Sequence, residues 1–187
     1  MRIEIISGSA RKSSNTRKIA LFLRNYLSGN SDHEIGLIDM QEWDLPHIQA
    51  VIRSESEAPA ALAPLAKRIF LADAFILVSP EYNGSYSPAL KNLLDHFPKQ
   101  HRKPFGIVTA SPGPLGGIRA ALQMQQLVPA LFGIASPYML IVPDMDKKFD
   151  REGQLIDEGF RKNVDVFVNE FLWLSEKLVD EPVAVSR

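Results

Sequence analysis

"FILVSPEYNGSYSPALKNLLDH", residues 75–96, leaves four consecutive apolar residues, crosses a turn-forming stretch and enters a helical spacing of leucines. Phe75 to Val78 reads as a strand covered on both faces. Leu90, Leu93, Leu94 and Phe97 fall on one helical stripe. A plain connector between such elements needs about two or three residues. This one adds Pro80, which stiffens its start, Asn83 and Gly84, which tolerate positive φ, and Tyr82 and Tyr86, which present aromatic faces. A buried strand, an elaborate loop and a helix in that order are the unit of a parallel α/β sheet. The purpose of the loop depends on what else lies at the carboxyl end of that sheet.

Working outward, four further β-type runs appear: "IEIIS" (3–7), "EIGLID" (34–39), "PFGIVTA" (104–110) and "YMLIV" (138–142). Helical spacing lies between them. Ile19, Leu23, Tyr26 and Leu27 mark one helix, Leu62, Leu65, Ile69 and Phe70 another. Ala121, Leu122, Gln125 and Leu127 suggest a helix before the last run. A long helix follows from about 158 to 178, striped by Phe160, Val164, Phe167, Val168, Phe171 and Leu174. Alternation of strand and helix predicts a doubly wound, flavodoxin-like α/β fold. Its five parallel strands are expected in the order 2-1-3-4-5, with residues 1–187 forming a single domain. Residues 40–59, "MQEWDLPHIQAVIRSESEAP", form the longest irregular stretch, and a loop of that length is functional or mobile.

In such a sheet, ligands bind beyond the carboxyl ends of the strands where the strand order reverses, here between the first and third strands. Three unusual loops then surround one crevice. "SGSARKSSNT" (7–16) offers hydroxyls and an amide from Ser9, Ser13, Ser14, Asn15 and Thr16, a close backbone turn at Gly8, and the guanidinium fork of Arg11. It also leads into a helix N-terminus, so it suits a phosphate. The alternative is a plain Ser14 cap with a solvated Arg11. The loop of 79–87 has the flat surfaces and exposed backbone to hold a heterocycle. "SPGPLGG" (111–117) permits close approach or acts as a lid. Neither the P-loop spacing nor the dinucleotide G-x-G-x-x-G occurs. A phosphate holder beside a ring holder describes a mononucleotide with a large aromatic head, which is FMN in outline.

Three motifs carry a family resemblance: "GSARKSSNTRKIA" (8–20), "SPEYNGSYSPALKNLLD" (79–95) and "TASPGPLGGIRAALQ" (109–123). The chain resembles the NAD(P)H-dependent FMN reductases, flavodoxin-like enzymes that include quinone, chromate and azo reductases. The resemblance implies that Ser9, Arg11, Ser14, Asn15 and Thr16 bind the FMN phosphate. It implies that Pro80, Glu81, Tyr82, Asn83 and Gly84 line the isoalloxazine ring, with Ser111 and Gly113 near its pyrimidine or ribityl side. The chain departs from many members at Ala10 (Leu), at Tyr86-Ser87-Pro88 (Ile-Pro-Gly) and at His96 (Trp).

The activity implied is a ping-pong transfer of hydride from NADPH or NADH to bound FMN. Two electrons then pass to a small-molecule acceptor, whether quinone, azo compound, metal ion or free flavin. Since the flavin performs the hydride chemistry, no catalytic side chain is nominated. A non-catalytic FMN-binding carrier or sensor is the alternative, and a protein that uses flavin only as a substrate is a third reading. The family also implies a homodimer or homotetramer. "GGIRAALQMQQLVPALFGI" (116–134) fits that with more aliphatic surface than one helix face needs, or it packs onto the sheet.

The bulk numbers fit these expectations. A net charge of -1 gives no field to recruit nucleic acid or an anionic membrane. With no cysteine there is no disulfide, thiolate nucleophile or cysteine-ligated metal. No segment approaches the length of a membrane span, and the expected setting is cytoplasmic. His33, His47, His96 and His101 lack metal-ligand spacing and are given surface or structural roles. Asp95 reads as structural, and the carboxylates of "PDMDKKFDREG" (143–153) as a solvated turn.

Overall fold

In the computed structural model, which describes residues 1–150 and 152–179, the strands are β1 (Arg2–Ser7), β2 (Glu34–Asp39), β3 (Ala74–Pro80), β4 (Pro104–Ala110), β5 (Ile134–Ala135) and β6 (Leu140–Val142). They form one parallel sheet in the order β2-β1-β3-β4-β5, with β6 also on β4. The expected order is therefore present, with one correction. The fifth strand is two short pieces rather than one run. Ile134 and Ala135 pair with Pro104 and Phe105, and pairing resumes at Leu140 opposite Val108. Four residues thus face two on β4. The interruption holds Pro137, which has no N–H to give to a ladder.

The helices are α1 (Asn15–Asn30), α2 (Ala63–Leu71), α3 (Pro88–Asp95), α4 (Ile118–Ala130), the short α5 (Met145–Lys148) and α6 (Glu158–Val179), with a 3-10 turn at Glu55–Glu57. On one sheet face, α1 and α6 bury Ile19, Leu23, Leu27, Phe160, Val164, Phe167 and Phe171 against Ile3, Ile5, Ile76 and Val78. On the other, α2, α3 and α4 bury Leu65, Ile69, Leu90, Leu93, Met124 and Val128 against Ile6, Phe75, Leu77, Phe105 and Ile107. At about 25 cal/mol per Å² of apolar surface, these two layers are the main source of stability.

Two helical stripes differ from expectation. In α4 the buried residues are Ala120, Ala121, Met124 and Val128, while Leu122 is exposed and Leu127 only half-buried. Small residues let this helix sit close to β4, and the leucines fall on the outer face. In α6, Ser175 rather than Leu174 completes the buried stripe, and its hydroxyl donates to the Phe171 carbonyl at 2.7 Å. The 40–59 stretch is anchored: Met40 and Ile52 are buried, and the Ile52 amide donates to the His96 carbonyl at 2.8 Å.

Among the described residues, no helix is long and apolar enough to cross a membrane.

Candidate functional site

β1 and β3 are adjacent, yet their following loops turn to opposite faces of the sheet, α1 lying on one and α3 on the other. This parting opens the crevice. Gly8 leaves β1 with its amide donated to the Val78 carbonyl at 2.8 Å. There the chain runs so close to β3 that a Cβ would stand 3.0 Å from both Val78 O and Leu90 Cβ.

The loop then becomes the first turn of α1. Ser14 is its N-cap: Oγ accepts from the Arg17 amide at 3.2 Å and contacts Thr16 Oγ1 at 2.9 Å. Among the described residues, the amides of Asn15 and Thr16 have no acceptor, and helix N-termini with free amides attract anions. Asp39, buried at the end of β2, is paired with the Arg17 guanidinium and accepts from the Gln41 amide at 3.1 Å. Its charge is thereby neutralised close to the N-terminus of α1.

The loop after β3 is a tight hairpin. Tyr82 and Ser85 exchange backbone bonds of 2.8 and 3.1 Å, with Asn83 and Gly84 at φ 51° and 81° between them. Positive φ at both central positions is the type I′ turn, which explains the Asn-Gly pair. Ser79 Oγ accepts from the Ser87 amide at 2.9 Å and holds the base of this loop.

These segments converge on a cleft of about 300 Å³, lined by Ser9, Arg11, Ser14, Asn15 and Thr16 from one loop and Pro80, Glu81 and Tyr82 from the other, with Ser111 beside them. Asn83 and Gly84 form the tip of the hairpin and Gly113 lies within the third loop; none of the three lines the cleft. The Gly113 carbonyl is used inside its own loop, accepting from Ser111 Oγ at 3.1 Å and from the Asp144 amide at 3.2 Å.

Lining residues not nominated from sequence are Ser13, Ala110, Pro112 and Met145. Met145 lay in the segment read only as a turn, and the signal was its place just after the last strand, at the same end of the sheet. Met145 and Phe149 are both buried, so this segment contributes two side chains to the core.

The residues fit FMN on their own chemistry. Ser9, Ser13, Ser14 and Thr16 bring hydroxyls, Arg11 a guanidinium, and Asn15 a side-chain amide that also donates to Asp146 Oδ1 at 3.3 Å. Pro80, Tyr82, Ala110, Pro112 and Met145 add apolar surface to the lining. The Tyr82 hydroxyl is buried without a partner among the described residues.

A second cleft of about 450 Å³ touches the first loop at Ala10 and is lined by Trp43, His47, Lys91, Asn92 and Asp95. The histidine assignments stand as structural for His96, whose buried ring meets the Asn92 carbonyl at 2.7 Å, and for His33, 3.1 Å from Glu176. Asp95 is held by Lys91 one turn earlier. Tyr86 packs against the α3 layer, and burial raises its phenol above the usual range against the pull of Lys91.

Residues 1–144 match the family model of NADPH-dependent FMN reductases. An FMN-dependent NADPH-azoreductase of Staphylococcus aureus (strain USA300) is 31% identical over 177 residues, covering 90% of this chain and 92% of the relative. The solved structure of FerB, a flavoenzyme NAD(P)H:(acceptor) oxidoreductase from Paracoccus denitrificans, superposes with a TM-score of 0.80 at 26% identity, covering 95% and 98% of the two chains. A single-site variant of flavodoxin from Pseudomonas aeruginosa shares the fold, with a TM-score of 0.60 at 18% identity over 92% of this chain and 99% of that one. The chain belongs to the NADPH-dependent FMN reductase family, oxidoreductases with FMN as cofactor and NAD(P)H as electron donor.

Proposed function

We propose that residues 1–187 work as one FMN-binding domain that oxidises NAD(P)H and delivers two electrons to a small-molecule acceptor. Azo compounds and quinones are the first acceptors to test. The observation that supports this reading is the meeting of the Ser9–Thr16 loop with Pro80–Tyr82 on one cleft. Bound there, FMN supplies the redox chemistry, accepting hydride and passing on electrons.

The chain's own work is binding and orientation. Arg11, Ser9, Ser13, Ser14, Asn15 and Thr16 hold the phosphate, with the free amides of the first α1 turn adding their dipole. Pro80, Glu81, Tyr82, Asn83 and Gly84 border the ring, the last two by shaping the hairpin, and Ser111 and Gly113 border its other side. Azo compounds come first because the Staphylococcus aureus relative carries that activity in its name. We also propose a homodimer or homotetramer, in keeping with Leu122, Phe132 and Ile134, which are exposed on and just after α4.

An anaerobic stopped-flow experiment tests the reading. Protein reconstituted with FMN is mixed with NADPH or NADH, and the bleached flavin is then mixed with an acceptor panel. Bleaching by a nicotinamide and reoxidation by an azo dye or quinone are expected. FMN that stays oxidised with both nucleotides would leave a carrier or sensor as the better account.

A further inference from the structure

Glu81 belongs to the loop that borders the cleft, yet its carboxylate is committed to a different element. Oε2 accepts from the backbone amides of Arg119 at 3.1 Å and Ala120 at 3.4 Å, and Oε1 lies 3.9 Å from the Arg119 guanidinium. Those amides open the first turn of α4. The residue at the N-cap position is Gly117, at φ 84°, which has no side chain to cap with. A Cβ there would stand 3.0 Å from Thr109 Cβ at a strained positive φ, so a serine or aspartate cap is disfavoured by both space and backbone. The cap that the helix cannot make locally arrives from the loop after β3. A carboxylate at this position also meets the positive end of the helix dipole.

The two segments joined this way are neighbouring parts of the cleft lining. Pro80 pairs with Ala110 at the ends of β3 and β4, Pro80 to Tyr82 and Ala110 to Pro112 both line the cleft, and the latter segment leads on to α4. The hairpin closed between Tyr82 and Ser85 stiffens the loop just beyond Glu81, and Arg119 Cδ lies 3.7 Å from where a Gly84 Cβ would stand. Glu81 therefore bears on how the two lining segments sit relative to each other.

We infer that Glu81 is a positioning residue, a clamp that fixes the loop after β3 to the start of α4 and so presets the shape of the cleft lining before ligand arrives. Pre-organisation of this kind improves affinity by removing the cost of ordering the loops on binding. The clamp is a property of the chain; only its consequence for FMN rests on the function proposed above.

The test compares wild type with Glu81→Ala and Glu81→Gln in the full chain, by two measurements. Amide exchange at Arg119 and Ala120 is followed without ligand, and the FMN dissociation constant is taken from quenching of flavin fluorescence. Alanine is expected to speed exchange at both amides and weaken FMN binding by about tenfold each, as loss of charge-assisted hydrogen bonds predicts. Glutamine keeps an accepting oxygen and is expected to restore both to within about threefold of wild type. Glu81→Asp, too short to reach both amides, carries the comparison if the alanine variant does not fold. Unchanged exchange in the variant overturns the clamp, and faster exchange with unchanged FMN affinity overturns the positioning role. A wild-type protein that takes up no FMN overturns the functional reading, while exchange still decides the clamp.

Discussion

The Ser87 hydroxyl donates to the Gly8 carbonyl and accepts from the Leu90 amide at 3.1 Å. One buried side chain thus caps α3 and ties the loop after β1 to the loop after β3. Ser87→Ala removes a helix cap and leaves a buried carbonyl without its donor, a loss of about 2 kcal/mol. Urea unfolding of the apoprotein is expected to report that loss, and an FMN titration a weaker complex. An alanine variant with wild-type stability and affinity would show that the two loops hold together without this bond.

Arg11 is exposed and forms no ion pair with a carboxylate among the described residues. Its removal is expected to change folding stability by less than about 0.5 kcal/mol. As a phosphate partner it contributes about 1.5–3 kcal/mol, so Arg11→Ala should raise the FMN dissociation constant by about ten- to a hundredfold. The gap between the two proteins should narrow as salt rises, because an exposed charge is screened. Equal flavin occupancy in both at limiting FMN would contradict the phosphate role.

The sheet was legible in the sequence because a central parallel strand is apolar on both faces, as in Phe75 to Val78, and such runs stand out from composition alone. Where a strand is short or interrupted the signal fails: Ile134 and Ala135 are too few to read, and Pro137 hides the break before Leu140. On α4 the expectation holds at Ala121 and fails at Leu122 and Leu127, because apolar residues surround that helix and only the tight approach to β4 favours Ala120 over the leucines. In the site, the serines and Arg11 were readable from side-chain chemistry. The destination of the Glu81 carboxylate was not, since its partners are backbone amides nearly forty residues away.

Tyr26 on α1 donates to Asp165 on α6 at 2.5 Å, and this bond, aided by burial, raises the phenol above its ordinary value. The folded state therefore keeps a proton that the unfolded chain gives up near pH 10. Stability from this pair is fully present below that pH and falls as pH rises through the raised folded value. Tyr26→Phe is expected to cost about 1 kcal/mol at neutral pH, since the pair is partly solvated. It should also flatten the decline in unfolding free energy above pH 10. A wild-type alkaline slope in the phenylalanine variant would assign that decline to other groups.

Glu4, in the middle of β1, has no solvent exposure and is held by Arg68 on α2, with Nε 3.0 Å from Oε1 and Nη2 2.5 Å from Oε2. Its neighbour across the β1–β2 pair is Gly36, where a Cβ would fall 2.2 Å from Glu4 Oε2. The glycine leaves room for the carboxylate, and the arginine neutralises it. Arg68→Ala leaves a buried charge with only Arg2 nearby, 3.4 Å from Oε1, and is expected to cost about 3–5 kcal/mol. Gly36→Ala should cost about 1–3 kcal/mol by overpacking. Replacing both partners, Glu4→Leu with Arg68→Leu, should recover most of the loss, because two apolar groups need no partner. The pair lies toward the amino end of β1, away from the cleft, so FMN affinity in each folded variant is expected to match wild type. Denaturant unfolding and flavin titration on the same samples check both halves. An Arg68→Ala protein as stable as wild type would mean that Arg2 alone is enough to hold Glu4.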